Sequence, residues 1–77
     1  MREVVSKEWF YVGHRGWAFT MECPETCFRT QLKAVIGPEI RVNGTVKSVM
    51  GVESFGIPII HKGLSLGILV NGERVDV

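Results

Sequence analysis

Two Asn-Gly dipeptides, Asn43-Gly44 and Asn71-Gly72, each sit between segments in which Val or Ile recurs at two of five positions, and they constrain the chain more than any other feature. Both central residues of a type I′ turn need positive φ, which Gly adopts freely and Asn tolerates better than most side chains. Each dipeptide therefore predicts a β-hairpin. One runs Pro38-Glu39-Ile40-Arg41-Val42 into Thr45-Val46-Lys47-Ser48-Val49, and the other Leu66-Gly67-Ile68-Leu69-Val70 into Glu73-Arg74-Val75-Asp76-Val77. In the second, a two-residue loop pairs Val70 with Glu73, Ile68 with Val75 and Leu66 with Val77, which gives a mostly apolar face. In the first, the same loop would pair Ile40 with Lys47 and mix the faces. A three-residue loop with a bulge at Gly44 pairs Ile40 with Val46 instead, and the pattern favours it.

The N-terminal half carries a third pair of strands. Glu8-Trp9-Phe10-Tyr11-Val12 is aromatic and β-favouring, closes at Gly13, and resumes after Gly16 as Trp17-Ala18-Phe19-Thr20-Met21-Glu22, so two strands flank His14-Arg15. Alternation puts Trp17, Phe19 and Met21 on one face and Ala18, Thr20 and Glu22 on the other. Residues 23–33 fit a strand, a turn or one short helix. The aliphatic inventory favours strands throughout, with 11 Val and 6 Ile against 4 Leu and 2 Ala. At 77 residues there is room for one domain, residues 1–77. Interior glycines (Gly51, Gly56, Gly67) and a bulge help a short sheet curl until its edges meet. The expected fold is all-β: a small closed or partly open barrel of six to seven strands, with an SH3-like barrel as the nearest alternative.

Nine Lys and Arg against eight Asp and Glu leave a formal charge of +1, so any attraction to nucleic acid must come from a local patch. The first eight residues carry charge every few positions, which leaves no apolar core for a secretory signal, and no run approaches the ~18 apolar residues of a membrane span. The expected address is cytoplasmic, with no membrane partner. Cys23 and Cys27, the only cysteines, are then expected as reduced thiols.

Two C-terminal stretches carry a resemblance. Val49-Met50-Gly51-Val52-Glu53-Ser54-Phe55 matches a "V-x-G-V-E-x-F" strand, and Gly63-Leu64-Ser65-Leu66-Gly67-Ile68-Leu69-Val70 follows it as a "G-D-x-V-G-x-L-L" strand. Over about its last 40 residues the chain resembles the β-barrel domain II of translational GTPases, elongation factor Tu type. It departs from that pattern at Gly37-Pro38-Glu39-Ile40, where the family has "G-D-x-V", and at Leu64, where it has an acidic residue. The resemblance implies a stand-alone binding module, since in the family this domain contacts ribosomal RNA, the aminoacyl end of tRNA or a neighbouring protein domain. No Gly-Lys pair occurs, so there is no G-x-x-x-x-G-K-[ST] phosphate loop and no nucleotide hydrolysis is expected on this chain.

Candidate sites follow from side-chain chemistry. His14, Arg15 and Trp17, with Trp9 and Tyr11 close by, combine stacking surfaces with a cation, as single-stranded nucleic-acid platforms do. They are the candidate RNA-binding residues. Ile57, Pro58, Ile59 and Ile60 form an apolar run whose proline excludes it from a central strand, so part of it is expected as an exposed loop, either a lid or a protein-docking surface. Cys23 and Cys27, with His14 and His61, could formally make a tetrahedral zinc set, but no second close pair frames them, and Glu22 and Glu25 disfavour the thiolate. No metal or other cofactor is expected. Ser6, Ser48, Ser54 and Ser65 lie in neither a G-x-S-x-G nor an H-E-x-x-H setting, so no catalytic residue is expected. Asn43-Gly44-Thr45 fits a glycosylation acceptor only in form, and reads as a turn.

Overall fold

The computed structural model describes residues 1–54 and 56–77. Phe55, which closes the first of the two family-like stretches, lies outside the described residues. The strands are β1 (Arg2–Val4), β2 (Trp9–Val12), β3 (Gly16–Glu22), β4 (Cys27–Phe28), β5 (Glu39–Val42), β6 (Thr45–Glu53), β7 (Ile59–Ile60) and β8 (Ser65–Val70). A 3₁₀ turn (Arg29–Gln31) leads into one short helix, α1 (Leu32–Ile36). Six strands form one mixed sheet in the order β1-β5-β6-β8-β3-β2, and β4 pairs with β7 as a separate ribbon. Among the described residues only the β1–β5 pair is parallel.

The sequence places its apolar residues so that one face of this sheet is dry. Phe19 from β3, Ile40 and Val42 from β5, Val49 from β6, and Leu66, Ile68 and Val70 from β8 form one buried cluster. The alternation expected in β3 holds, with Phe19 and Met21 toward the cluster. Leu32 and Ile36, one helical turn apart, turn the same side of α1 inward, and Ile60 and Cys23 complete the core. Each such aliphatic or aromatic side chain contributes about 1.5–3 kcal/mol when taken fully from water. Residues 23–33, open between classes in the sequence, thus supply β4 and the start of a helix. Gln31 Oε1 accepts the Phe28 N–H at 3.0 Å, which fixes that start, and Gly37-Pro38 ends it because proline cannot continue a helix.

Both hairpin expectations need correction. Asn43-Gly44 makes a two-residue loop, with φ of 50° and 87°, and pairs Ile40 with Lys47 and Val42 with Thr45. Ile40 does not pair with Val46, and no bulge occurs at Gly44. The mismatch of faces is corrected later, at Met50, where the register between β6 and β8 shifts between Val49/Val70 and Gly51/Leu69. One extra residue there brings Val52, as well as Val49, toward the core. Asn71-Gly72 does not make a hairpin at all. β8 already has β6 on one edge and β3 on the other, so residues 73–77 have no edge to join, and they form no strand. Asn71 instead turns to β6, donating its N–H to Ser48 O at 3.2 Å and accepting Ser48 N–H at Oδ1 at 2.8 Å.

The sheet is not closed, because its edge strands β1 and β2 do not pair with each other. β1 and its parallel pairing with β5 had no counterpart among the expected strands. The connection between β1 and β2 is fastened by Ser6, whose buried hydroxyl donates to Thr20 O at 3.0 Å and whose carbonyl accepts the Trp9 indole N–H at 3.3 Å.

Candidate functional site

The residues grouped by sequence as His14, Arg15 and Trp17 are separated at Gly16, whose φ of 116° breaks the alternation where β3 begins. Trp17 shares the inward face of β3 with Phe19. Its ring meets Tyr11 edge-on at 5.4 Å, and the Arg74 guanidinium lies 5.5 Å from its centre. Trp9 meets Phe19 in the same row, with centroids 5.2 Å apart and the rings tilted by 52°. Arg15 takes the other face. It pairs with Glu53 of β6 and passes over Gly51, where an added Cβ would stand 3.2 Å from its Nη2. The cation beside the indole is therefore Arg74, itself paired with Asp76 at 2.6 Å, and not Arg15. His14 is exposed in the turn between β2 and β3. Among the aromatic members of this group Tyr11 is exposed, at 62%, while Trp9 and Trp17 are half-buried.

The apolar run at residues 57–60 divides between core and surface. Pairing of Cys27 with Ile60 and of Phe28 with Ile59 sends Cys27 and Ile60 inward and turns Phe28 and Ile59 out. Ile57, two residues before Ile59, is also exposed, as is Pro58, whose carbonyl accepts the Arg29 N–H at 2.8 Å. At the other end of the ribbon Lys62 N–H donates to Thr26 Oγ1 at 3.0 Å. Phe28 is 58% exposed and Ile59 44%, so this small ribbon presents an aromatic and an aliphatic side chain directly opposite each other. Beside them is a shallow groove of about 280 Å³ lined by Thr26, Cys27, Phe28, Gln31 and Ile59. Arg29 directly follows Phe28 and Lys62 lies two residues after Ile60, so both flank the ribbon along the chain, and neither forms an ion pair among the described residues. Phe28 escaped the sequence reading because its exposure depends on a strand partner distant along the chain.

The cysteines are free, with Cys23 buried and Cys27 partly buried. Partial burial pushes the Cys27 thiol above its ordinary pKa, and the adjacent Cys23 thiol and the Glu25 carboxylate add to it. Cys23 Sγ donates to Glu25 O at 3.1 Å. Among the described residues no three His, Cys, Asp or Glu side chains converge as a metal site, and Cys23, Cys27, His14 and His61 do not gather. An open groove of about 490 Å³ runs past Ser6, Glu8, Thr20, Glu22 and Ser65; neither histidine lines it, and the Ser6 hydroxyl is already engaged by Thr20 O. No helix among the described residues is long and apolar enough to cross a membrane. No protein-family model, no curated protein and no solved structure matches the chain.

Proposed function

We propose that the chain is a non-catalytic binding module that docks a protein partner through the β4–β7 ribbon, with Phe28, Ile57 and Ile59 as the contact residues. The observation that carries this reading is the direct opposition of Phe28 and Ile59 on the outer side of a two-stranded ribbon whose inner side, Cys27 and Ile60, belongs to the core. Exposed aromatic and aliphatic side chains held by a rigid backbone are the usual anchors of protein contacts, and the flanking cations Arg29 and Lys62 suit a polar rim. The barrel kinship implied by the family-like strands belongs to the same proposal: β6 and β8, which carry them, run side by side in an open sheet.

A second reading, binding to RNA or to a ribonucleoprotein such as the ribosome, is favoured by the stack of Tyr11, Trp17 and Arg74. Affinity capture with the tagged chain separates the two. Protein partners that survive nuclease and high salt, and that are lost from a variant carrying Phe28→Asp and Ile59→Asp, support docking through the ribbon. Partners released by nuclease, kept by that variant and lost from a variant carrying Tyr11→Ala and Arg74→Ala support the RNA reading and overturn the first.

A further inference from the structure

The hydrogen-bond pattern of β3 fixes which backbone groups of β2 are in use. Thr20 N–H donates to Glu8 O at 3.2 Å, so the even-numbered residues of β2 face β3 in the antiparallel ladder, with Phe10 opposite Ala18 and Val12 opposite Gly16. The odd-numbered residues on β3 serve the other neighbour: Cys23 N–H donates to Leu64 O at 2.7 Å, in line with the pairs Met21/Leu66 and Phe19/Ile68. The N–H and C=O groups of Trp9 and Tyr11 consequently point away from the sheet, and no hydrogen-bond partner meets them among the described residues. The two open edges differ in how they are guarded. β1 carries Arg2 and Glu3 within three residues, whereas β2, Trp9–Val12, has no charge and no proline. An uncharged, aromatic, unpaired edge is a template for another strand.

We propose that this edge is a self-association surface, at which β2 of one copy pairs antiparallel with β2 of a second copy about a two-fold axis through Phe10. The inference does not rest on the docking role of the ribbon. Hydrogen-bonding geometry admits only registers that pair odd-numbered residues with odd-numbered ones. Centring on Phe10 sets Trp9 opposite Tyr11 of the second copy, and Tyr11 opposite its Trp9. Those two pairs use every N–H and C=O that Trp9 and Tyr11 turn outward, four bonds in all by the rule that such a pair exchanges two. The same register sets Phe10 opposite Phe10 on the outer face, each ring leaning back over Gly67 of its own copy, and sets Glu8 opposite Val12 and Lys7 opposite Gly13. The neighbouring registers are worse. Centring on Tyr11 or on Trp9 leaves one such pair inside β2, with two bonds in place of four, and centring on Trp9 also brings Glu8 against Phe10. Charge and hydrogen bonding select the same alignment, which is why the occupant is a second copy.

The test is the mass of the chain in solution as a function of concentration. An interface of one short strand pair is small and weak, so sedimentation equilibrium between about 10 µM and about 1 mM is expected to show the mass rising from 8.6 kDa toward twice that value. Tyr11→Pro removes an N–H that the β2–β3 ladder does not use, and Tyr11→Lys adds an edge charge while leaving the backbone intact. Each is expected to remain a single copy over the same range, with unchanged far-ultraviolet circular dichroism. A wild-type chain that stays single at about 1 mM overturns the proposal. So does a dimer that persists in Tyr11→Lys, or one that is lost from Phe28→Asp and kept in Tyr11→Lys, which assigns the contact to the ribbon.

Discussion

Asn43 holds Ser6 as a neighbouring strand would: the Ser6 N–H donates to Asn43 Oδ1 at 2.9 Å, and Asn43 Nδ2 donates back to the Ser6 carbonyl at 2.9 Å. A side-chain amide has the donor and acceptor of a peptide group, so this contact carries the β1–β5 pairing past Val4 after the backbone of β5 has turned away. The second Nδ2 proton goes to Val75 O at 2.6 Å and fastens the tail that follows β8. The turn and the two flanking segments thus meet at one residue, which also holds a φ of 50°.

Asn43→Gly is expected to lower stability by about 2–3 kcal/mol, because three partly buried hydrogen bonds are lost and each is worth roughly 1 kcal/mol net. Asn43→Ala should cost about 1 kcal/mol more, the strain of a left-handed residue with a Cβ. Urea unfolding of the two variants separates these contributions. Equal losses would mean that the turn conformation carries no energetic weight.

The last two positions of the apolar run, Ile59 and Ile60, should respond very differently. Ile60→Ala empties a fully buried position and is expected to cost about 2–5 kcal/mol, enough to threaten a domain of this size. Ile59→Ala trims an exposed side chain and should stay within about 0.5 kcal/mol. Thermal midpoints of both variants check the inward and outward assignment of β7.

Arg15→Ala should leave the Trp17 indole resonance in place, while Arg74→Ala should shift it, since only Arg74 lies over that ring. The Arg15–Glu53 pair is about half exposed, so its loss is expected to cost no more than about 1 kcal/mol and to matter less as salt rises. Nuclear magnetic resonance spectra of the indole N–H in the two variants make the comparison.

Phe10 and Gly67 are matched in size. A Cβ on Gly67 would stand 3.1 Å from Phe10 Cζ and 3.5 Å from Glu53 Cβ, and the Phe10 ring has solvent into which it can shift. Gly67→Ala is therefore expected to cost about 1 kcal/mol alone and less in a Phe10→Ala background, with a coupling of about 0.5–1 kcal/mol in a double-mutant cycle. Strict additivity would contradict the contact.

The raised pKa of Cys27 gives stability a dependence on alkaline pH. The folded chain keeps this proton at pH values where the unfolded chain has released it, so the stabilisation is complete below the ordinary thiol range and is lost as pH rises through the folded value. Urea midpoints are expected to fall more steeply above pH 8 in the wild-type chain than in Cys27→Ser. A thiol reagent should also modify Cys27 more slowly in the folded chain than in urea.

What was legible in the sequence was local. The β2–β3 pair, the alternation of Trp17, Phe19 and Met21, and the turn at Asn43-Gly44 all depend on residues close together along the chain. The misread parts depend on competition between distant segments. Asn71-Gly72 has turn chemistry as good as Asn43-Gly44, but β3 and β6 occupy both edges of β8 and the hairpin cannot form. The compensating bulge lies at Met50, beside the interior glycine Gly51, and not at Gly44. Arg15 and Trp17 are two residues apart and so would share a face in an ideal strand, but Arg15 precedes Gly16, whose φ of 116° breaks the alternation. The exposed part of residues 57–60 was foreseen from Pro58, whereas Phe28 opposite Ile59 follows from a pairing no local pattern encodes.

The placement of β8 between β3 and β6 leaves β1 and β2 as the open edges of the sheet and gives the residues after β8 no strand to join. Amide hydrogen exchange reads it directly. Leu66, Gly67, Ile68 and Leu69 are expected to exchange slowly without exception, because alternate N–H groups serve the two neighbouring strands, while Arg74, Val75, Asp76 and Val77 exchange rapidly. Protection at Val75 and Val77, with alternate fast and slow amides along β8, would restore the second hairpin and contradict this arrangement of the sheet.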